Sequence, residues 1–270
     1  GKHMPKLIVC AKQVPDPEAP PGSLKVDTSA NKVVLPASIS PVVNPYDEQA
    51  VEAALRLKDA LGGSITVISL GNNLQRDVVK KPLSMGADEL ILLEDPAFEG
   101  GDAWSTVTAL AAAIKKVGEF DLVICGRQAA DWDAGQVGLG LAEMLGLPVI
   151  SLAQKVEVMD SKVRVERVIT DGYEVIESSL PALITVSNEL GEPRYATLKG
   201  IMAASKKQPT VWKPDDIGLD ASQVGEAGRK SKLVRLFQPN KEAHCEIVEG
   251  ESAEEAGSLL ADRLRTAKII

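Results

Sequence analysis

The sequence is poor in the residue types that most often carry metal or histidine chemistry. Only 3% of its 270 residues are aromatic, and it contains three cysteines and two histidines. Cys10, Cys125 and Cys245 have no CxxC spacing, so we expect ordinary thiols in a reducing compartment. One histidine lies within residues 1–3, which resemble a tag remnant, and the other is His244. The composition therefore argues against a histidine metal site and against a histidine-based catalytic triad.

The chain also lacks basic blocks and long apolar runs. Its formal net charge is −8 at pH 7, which makes nucleic acid a poor candidate for a partner. No apolar stretch approaches the roughly 20 residues that span a bilayer, and no signal peptide is recognisable. The sequence therefore predicts a cytoplasmic protein that is not embedded in a membrane. Its length suits one large domain, or one domain with an appendage.

Strand and helix patterns alternate over the first half of the chain. Apolar runs expected for strands lie at 7–10, 65–70, 89–93, 121–125 and 149–152, and helical patterns lie at 45–61, 74–85, 103–117 and before 145. The runs are apolar at consecutive positions, which is typical of strands that are buried on both faces. We predict an α/β fold with a doubly wound, mostly parallel sheet, of the adenine-nucleotide-binding, flavodoxin-like or Rossmann-like kind.

The second half of the chain has a different pattern. Runs at 155–158, 163–168, 174–177 and 182–186 alternate and are separated by turns, which predicts an antiparallel extension at the edge of the main sheet. Residues 205–240 have little periodicity but contain apolar side chains that need burial, which suggests an arm packed on another chain. A capping box at Ser252 predicts a final helix. We divide the chain into an α/β domain at 4–204 and a C-terminal arm at 205–270.

Four stretches are expected to meet in one crevice beyond the carboxyl ends of the strands. Ligands of doubly wound folds bind there, where the strand order reverses. The candidates are residues 10–12, 70–72 and 126–137, together with Asn44 at the start of a helix. Residues 126–138 join a buried strand to a helical segment, and the free N–H groups at a helix start favour an anion. No Walker-type or GxGxxG motif accompanies this turn, so a plain surface turn is the alternative.

The start of the first helix is the second informative stretch. Asn44 is a suitable N-cap, Pro45 suits the first helical position, and Asp47 and Glu48 place negative charge in the first turn. A well-capped helix explains these residues without any ligand. The functional interpretation is that the Asn44 side chain, or the backbone beside Pro45, touches a nucleotide.

Several motifs resemble those of the electron transfer flavoprotein beta subunit family (ETF beta/FixA). They are Cys10-Ala11-Lys12-Gln13-Val14-Pro15-Asp16, Asn44-Pro45-Tyr46-Asp47-Glu48, Met85-Gly86-Ala87-Asp88, Gly126-Arg127-Gln128-Ala129, the signature region from Val165 to Thr185, and Glu192-Pro193-Arg194-Tyr195-Ala196-Thr197-Leu198. The resemblance covers almost the whole chain. It implies a heterodimer with an alpha subunit that holds most of the electron-carrying FAD, and an arm and last helix that pack on that subunit.

The resemblance also implies the role and the partners. The heterodimer would carry electrons from acyl-CoA dehydrogenases, in fatty acid oxidation, to a membrane quinone-linked oxidoreductase. This subunit would be a carrier rather than an enzyme, with no catalytic residue. A recognition loop at about 190–202 would dock on the dehydrogenase through Leu198, with Arg194 and Tyr195 beside it. A single exposed apolar anchor suits a transient, specific contact.

The cofactor implied for this subunit is a structural AMP. By position it would touch Cys10, Asn44, Pro45, Tyr46, Asp47, Leu70, Gly126, Arg127, Gln128, Ala129, Asp131, Asp133, Ala134, Gly135, Gln136 and Val137. The phosphate would lie on residues 133–137. Carboxylates repel phosphate, so we expect Asp131 and Asp133 to form the turn or to pair with Arg127 or a ribose hydroxyl.

Three alternatives remain at this stage. Bifurcating members of the family hold a second FAD in place of AMP and take hydride from NADH. This chain keeps the turn expected for those members at Asp131, Asp133 and 136–138. It departs from that turn at Trp132, Ala134, Gly135 and Leu139. These departures favour AMP. A stand-alone nucleotide-binding module of the universal-stress type would end near the fifth strand. An ATP-using enzyme of the pyrophosphatase type would need a Gly-rich loop after the first strand, where Lys12-Gln13-Val14-Pro15 stands.

Overall fold

A nine-stranded, mostly parallel sheet forms the centre of the protein. The computed structural model describes residues 4–20, 22–240 and 244–270. The strands are β1 (Lys6–Cys10), β2 (Gln13–Val14), β3 (Lys25–Asp27), β4 (Lys32–Val34), β5 (Val42–Val43), β6 (Ser64–Gly71), β7 (Glu89–Glu94), β8 (Leu122–Gly126), β9 (Val149–Met159), β10 (Lys162–Ile169), β11 (Gly172–Ser179), β12 (Ala182–Val186) and β13 (Thr210–Trp212). The helices are α1 (Pro45–Leu61), α2 (Arg76–Val79), α3 (Lys81–Met85), α4 (Ala103–Val117), α5 (Val137–Leu145), α6 (Leu198–Lys206), α7 (Gly225–Gly228) and α8 (Ala253–Thr266).

The strand order confirms the predicted doubly wound fold. The order is β11-β10-β9-β12-β8-β1-β6-β7-β13, while β2–β5 and β3–β4 form two small antiparallel pairs. From β1 the chain builds outward through β6 and β7, and it then crosses back to place β8 on the other side of β1. The strand order therefore reverses between β1 and β8, where such folds open a crevice.

Helices cover both faces of the sheet, because each strand between β9 and β7 is apolar on both sides. On one face, Val51 and Leu55 of α1 pack on the strands. On the other face, Leu110 and Ile114 of α4 and Leu141 of α5 pack on them. The two apolar layers fix the position of α1 and α5, whose first turns flank the crevice.

The predicted helix at 74–85 is wrong as a single element. The chain forms two short helices, α2 and α3, which meet at Lys80. Pro82 lies in the first turn of α3, where its missing N–H costs nothing, but it cannot continue the hydrogen-bond ladder of α2. The break is therefore set by the proline.

The predicted antiparallel extension is correct for β10 and β11 and wrong for residues 182–186. Ala182–Val186 runs parallel to β8 and β9 and lies between them. All five of its residues are buried, which fits an interior strand. The runs predicted at 149–152 and 155–158 are one strand, β9, with a register irregularity close to Leu152, whose φ is 59°.

Part of the predicted C-terminal arm lies against the domain. Thr210–Trp212 pairs with β7 at the edge of the main sheet, and Ile217 and Val224 are buried in the α4 layer. The domain boundary at residue 205 stays a prediction. The last helix forms as predicted, Ser252 accepts a hydrogen bond from the N–H of Glu255, and none of its residues is buried. In the described ranges, no helix is both long and apolar enough to cross a membrane.

Candidate functional site

Two buried cysteines lie on neighbouring strands where the strand order reverses. Cys10 at the end of β1 and Cys125 on β8 stand opposite each other in register, and both are buried. Contact with the Cys10 thiol, together with burial, raises the pKa of the Cys125 thiol, so it stays protonated at neutral pH. Cys10 and Cys125 are buried free cysteines, as predicted, whereas Cys245 is exposed.

Asp47 joins the two strands at the crevice. Its carboxylate accepts hydrogen bonds from the backbone N–H of Lys12, at 2.8 Å, and of Gly126, at 3.1 Å. Burial raises the pKa of Asp47 to about 7, although these bonds and the nearby Lys12 charge oppose the shift. A Cβ at residue 126 would lie 2.5 Å from Asp47 Oδ1, so this close approach requires glycine. Both carboxylate oxygens of Asp47 therefore face the chain's own backbone.

Asn44 holds the loop after β8 and does not cap the helix through its side chain. It occupies the N-cap position, as predicted, but its side chain makes no capping hydrogen bond. Its Nδ2 donates to the carbonyl oxygen of Gln128 at 2.8 Å, and its Oδ1 accepts from the N–H of Ala130 at 3.0 Å. Its own N–H donates to the carbonyl oxygen of Lys12 at 2.8 Å. The start of α1 thus fixes the loops that follow β1 and β8.

The two aspartates of the loop have partners within the chain. Lys12 Nζ donates to both carboxylate oxygens of Asp131 at 2.8 Å, so the partner of Asp131 is Lys12 and not Arg127, one of the alternatives considered above. Asp133, with a φ of 51°, accepts from Gln128 Nε2 at 2.9 Å and so forms the turn. The Lys12–Asp131 pair links the loops after β1 and β8, and it offsets a carboxylate that would otherwise repel an anion.

The first turn of α5 follows the loop after β8. The helix begins at Val137, and Gln136 at its N-cap makes no side-chain capping hydrogen bond. Ala134 and Gly135 precede it, and Gly135 has a φ of 63°. A Cβ at Gly138 would lie 2.7 Å from the Thr185 methyl group, which lets the helix start lie directly on β12. The backbone N–H groups of this turn and the helix dipole suit a phosphate.

Arg127 lies on the β12 side of the crevice. Its Nη1 donates to Ser187 Oγ at 3.2 Å, and its guanidinium lies 5.8 Å from the centre of the Tyr46 ring. Its Nε is buried and has no hydrogen-bond partner among the residues that the structure describes. The structure therefore gathers the predicted residues of loops 10–12, 44–47 and 126–137 around the ends of β1 and β8, and Leu70 lies on β6, next to β1.

The predicted docking residues divide into two groups. Tyr195 and Leu198 are 95% and 75% exposed, and Ile201 and Met202 of α6 extend the apolar surface. Arg194 instead binds the carboxylates of Glu52 and Asp59 on α1, so its guanidinium faces the chain. Sequence reasoning missed Glu52, although its place among the apolar residues of an amphipathic helix was a signal.

Comparisons with known proteins give a consistent result. The model of the electron transfer flavoprotein domain matches residues 32–217. Caffeyl-CoA reductase-Etf complex subunit CarD of Acetobacterium woodii is 38% identical over 266 residues, covering 98% of this chain and 100% of that protein. Electron transfer flavoprotein subunit beta of Thermoanaerobacterium thermosaccharolyticum is 39% identical over 265 residues, covering 98% of this chain and 99% of that protein. Acryloyl-CoA reductase electron transfer subunit gamma of Anaerotignum propionicum is 32% identical over 272 residues, covering 98% of this chain and 100% of that protein.

Proposed function

The chain belongs to the electron transfer flavoprotein beta-subunit family, and we propose that it forms the beta subunit of a heterodimer whose alpha subunit holds most of the FAD. In this role it carries electrons and performs no acid–base catalysis. Family membership over nearly the full chain leaves no support for a stand-alone stress-type module or an ATP-using enzyme.

The meeting of the loops after β1 and β8, where the strand order reverses, is the observation that carries this proposal. Asn44 and Asp47 fix both loops, and the start of α5 offers backbone donors without a capping side chain. This arrangement suits the phosphate of an adenine nucleotide, held by residues 134–137. We propose that the nucleotide is AMP, which supplies no redox chemistry and orders the two loops.

A second FAD in the same crevice is the alternative candidate. Trp132 is 58% exposed, so its ring does not fill the crevice and is available to stack on a flavin. Two similar proteins are named as subunits that serve a caffeyl-CoA reductase and an acryloyl-CoA reductase. Both observations are compatible with a bifurcating carrier that receives hydride from NADH. The loss of a hydroxyl at Ala134, which removes a donor to a diphosphate, favours AMP.

The electron donor is proposed to be a flavin dehydrogenase of CoA thioesters, such as an acyl-CoA dehydrogenase. The names of the similar reductase subunits support a CoA-thioester oxidoreductase as the partner class. The exposed side chains of Tyr195 and Leu198 supply the apolar contact. A quinone-linked oxidoreductase at the membrane would receive the electrons.

Counting the bound nucleotides tests the cofactor assignment. The heterodimer, co-expressed with its alpha subunit, is denatured, and the released nucleotides are separated by chromatography. One FAD and one AMP per heterodimer is the expected result. Two FAD and no AMP per heterodimer would show that the cofactor of this subunit is FAD, and NADH would then be the next substrate to test. No adenine nucleotide beyond the alpha-subunit FAD would contradict the assignment of the crevice.

A further inference from the structure

A buried ion pair fixes the segment that precedes Leu198. Glu52 on α1 is only 5% exposed. Its Oε2 accepts from both the backbone N–H and the Nε of Arg194, at 3.1 and 2.9 Å, and its Oε1 accepts from Nη2 at 3.3 Å. Nη2 also donates to Asp59 Oδ2 at 2.8 Å. The guanidinium of Arg194 makes two hydrogen bonds to this buried carboxylate and its backbone N–H makes a third, so the residue has little freedom to reorient.

The remaining contacts of α1 hold the chain just before this pair. Arg56 donates to Glu52 Oε1 at 2.9 Å and to the carbonyl oxygen of Leu190 at 3.1 Å. Gln49 Nε2 donates to the carbonyl oxygen of Asn188 at 3.4 Å. The outer face of α1 therefore holds residues 188–194 along three successive turns.

A second anchor follows the exposed side chains. Thr197 caps α6 by accepting from the N–H of Gly200 at 3.0 Å. A Cβ at Gly200 would lie 2.2 Å from the carbonyl oxygen of Ser84, so α6 rests closely on α3. Tyr195 and Leu198 thus lie in a short span between two fixed points.

We propose that Glu52 and Arg194 are positioning residues, which hold this span so that Tyr195 and Leu198 meet the dehydrogenase in one fixed conformation. Arg194 itself does not touch the partner. The inference rests on the proposed docking function of Leu198. Binding a preordered segment avoids the entropy cost of ordering its side chains at the moment of contact. Loss of the ion pair should therefore weaken docking without changing the electron-transfer step.

The test compares variants of the heterodimer in steady-state electron transfer. An acyl-CoA dehydrogenase reduced with butyryl-CoA is the probe, and the carrier's KM and kcat are measured. Arg194→Gln and Glu52→Gln should each raise KM about tenfold and leave kcat unchanged. The double variant should be no worse than either single variant, because both remove the same pair. Arg167→Gln, which removes an exposed ion pair with Glu174 on the β10–β11 hairpin, is the matched control.

Hydrogen exchange provides a readout that does not depend on the partner. Amides of residues 191–197 should exchange faster in Glu52→Gln, while those of α4 stay protected. Flavin content should stay at the wild-type level, since the ion pair lies outside the crevice. Unchanged exchange in residues 191–197 would overturn the positioning role.

Comparing the KM of Leu198→Ala with the KM of the Glu52 and Arg194 variants distinguishes failure of the positioning role from failure of the docking function. If that variant raises KM but the Glu52 and Arg194 variants do not, docking stands and positioning is wrong. If Arg194→Gln raises KM and Glu52→Gln does not, Arg194 contacts the partner directly, and the inference is again wrong. If Leu198→Ala has no effect on KM, the docking function fails and the positioning role fails with it.

Discussion

The carboxylate of Asp47 lies 3.1 Å from the backbone nitrogen of Gly126, across the point at which the strand order reverses. The first turn of α1 thereby contacts the chain at or just after the ends of two neighbouring parallel strands. The same carboxylate binds Lys12 from the other strand. One buried side chain therefore links the ends of β1 and β8, and this arrangement has consequences for stability and binding.

The first prediction concerns the pH dependence of stability. The folded-state pKa of Asp47 is about 7, well above the ordinary 3.8, so the folded protein holds this proton more tightly than the unfolded chain does. Its contribution to the free energy of unfolding is complete below about pH 4 and is lost as pH rises through about 7, by up to roughly 4 kcal/mol. Urea unfolding of the heterodimer should be less pH-dependent in Asp47→Asn between these limits. Equal pH slopes in wild type and variant would contradict the shift.

The second prediction concerns the glycine at the end of β8. Gly126→Ala places a Cβ 2.5 Å from Asp47 Oδ1 and 2.6 Å from the carbonyl carbon of Tyr46. The loops must move apart, so we expect a loss of roughly 2–4 kcal/mol in stability and loss of the bound nucleotide. Thermal unfolding and nucleotide content after gel filtration are the measurements. Gly257→Ala is the control for nucleotide content, because an added Cβ there meets no atom of this chain within 4 Å. Retention of nucleotide in Gly126→Ala would argue against this crevice as the site.

The third prediction concerns Lys12 and Asp131 at the mouth of the crevice. The two groups bind each other at 2.8 Å. In Lys12→Gln the Asp131 carboxylate is left without its cation and repels a phosphate at the start of α5, so the nucleotide Kd should rise about tenfold. Adding Asp131→Asn to Lys12→Gln should recover much of this loss, since the repelling charge is gone. Isothermal titration of AMP into nucleotide-free heterodimer measures both effects, and no recovery in the double variant would show that Lys12 binds the phosphate itself.

The sequence predicted the parallel core well but could not predict how distant residues meet. Consecutive apolar residues identify strands such as Leu122–Gly126 because burial on both faces leaves a local signature. Residues 182–186 follow a hairpin and therefore group with its alternating strands by sequence, and chain order alone does not reveal that a strand returns to the interior of the sheet. The hydrogen bonds of Asp47 to Gly126 and of Glu52 to Arg194 join residues that are 79 and 142 positions apart, so no local sequence pattern predicts them.

The candidate site was likewise predictable in outline and not in its contacts. Strand ends and a helix start identified the crevice, because these features follow from local sequence. Asn44 is a residue type that often caps helices, but its side-chain amide forms its two hydrogen bonds with the loop after β8 instead. The pairing of Asp131 with Lys12 depends on how loops from two strands approach each other, and this is fixed by the tertiary structure.

The last prediction concerns Leu198 as the docking anchor. Its side chain is 75% exposed at the start of α6, so Leu198→Ala should change the stability of the heterodimer by no more than about 0.5 kcal/mol. If the side chain fills a pocket on the dehydrogenase, its loss should raise the carrier's KM by roughly 30-fold, as expected for an apolar anchor worth about 2 kcal/mol. Electron transfer from the reduced dehydrogenase and flavin content are measured on the same preparation. Ile169→Ala is the matched control, because Ile169 is an exposed apolar residue on β10. Loss of flavin in Leu198→Ala would show that the residue supports the structure instead, whereas a raised KM with intact flavin would assign the α6 surface to docking.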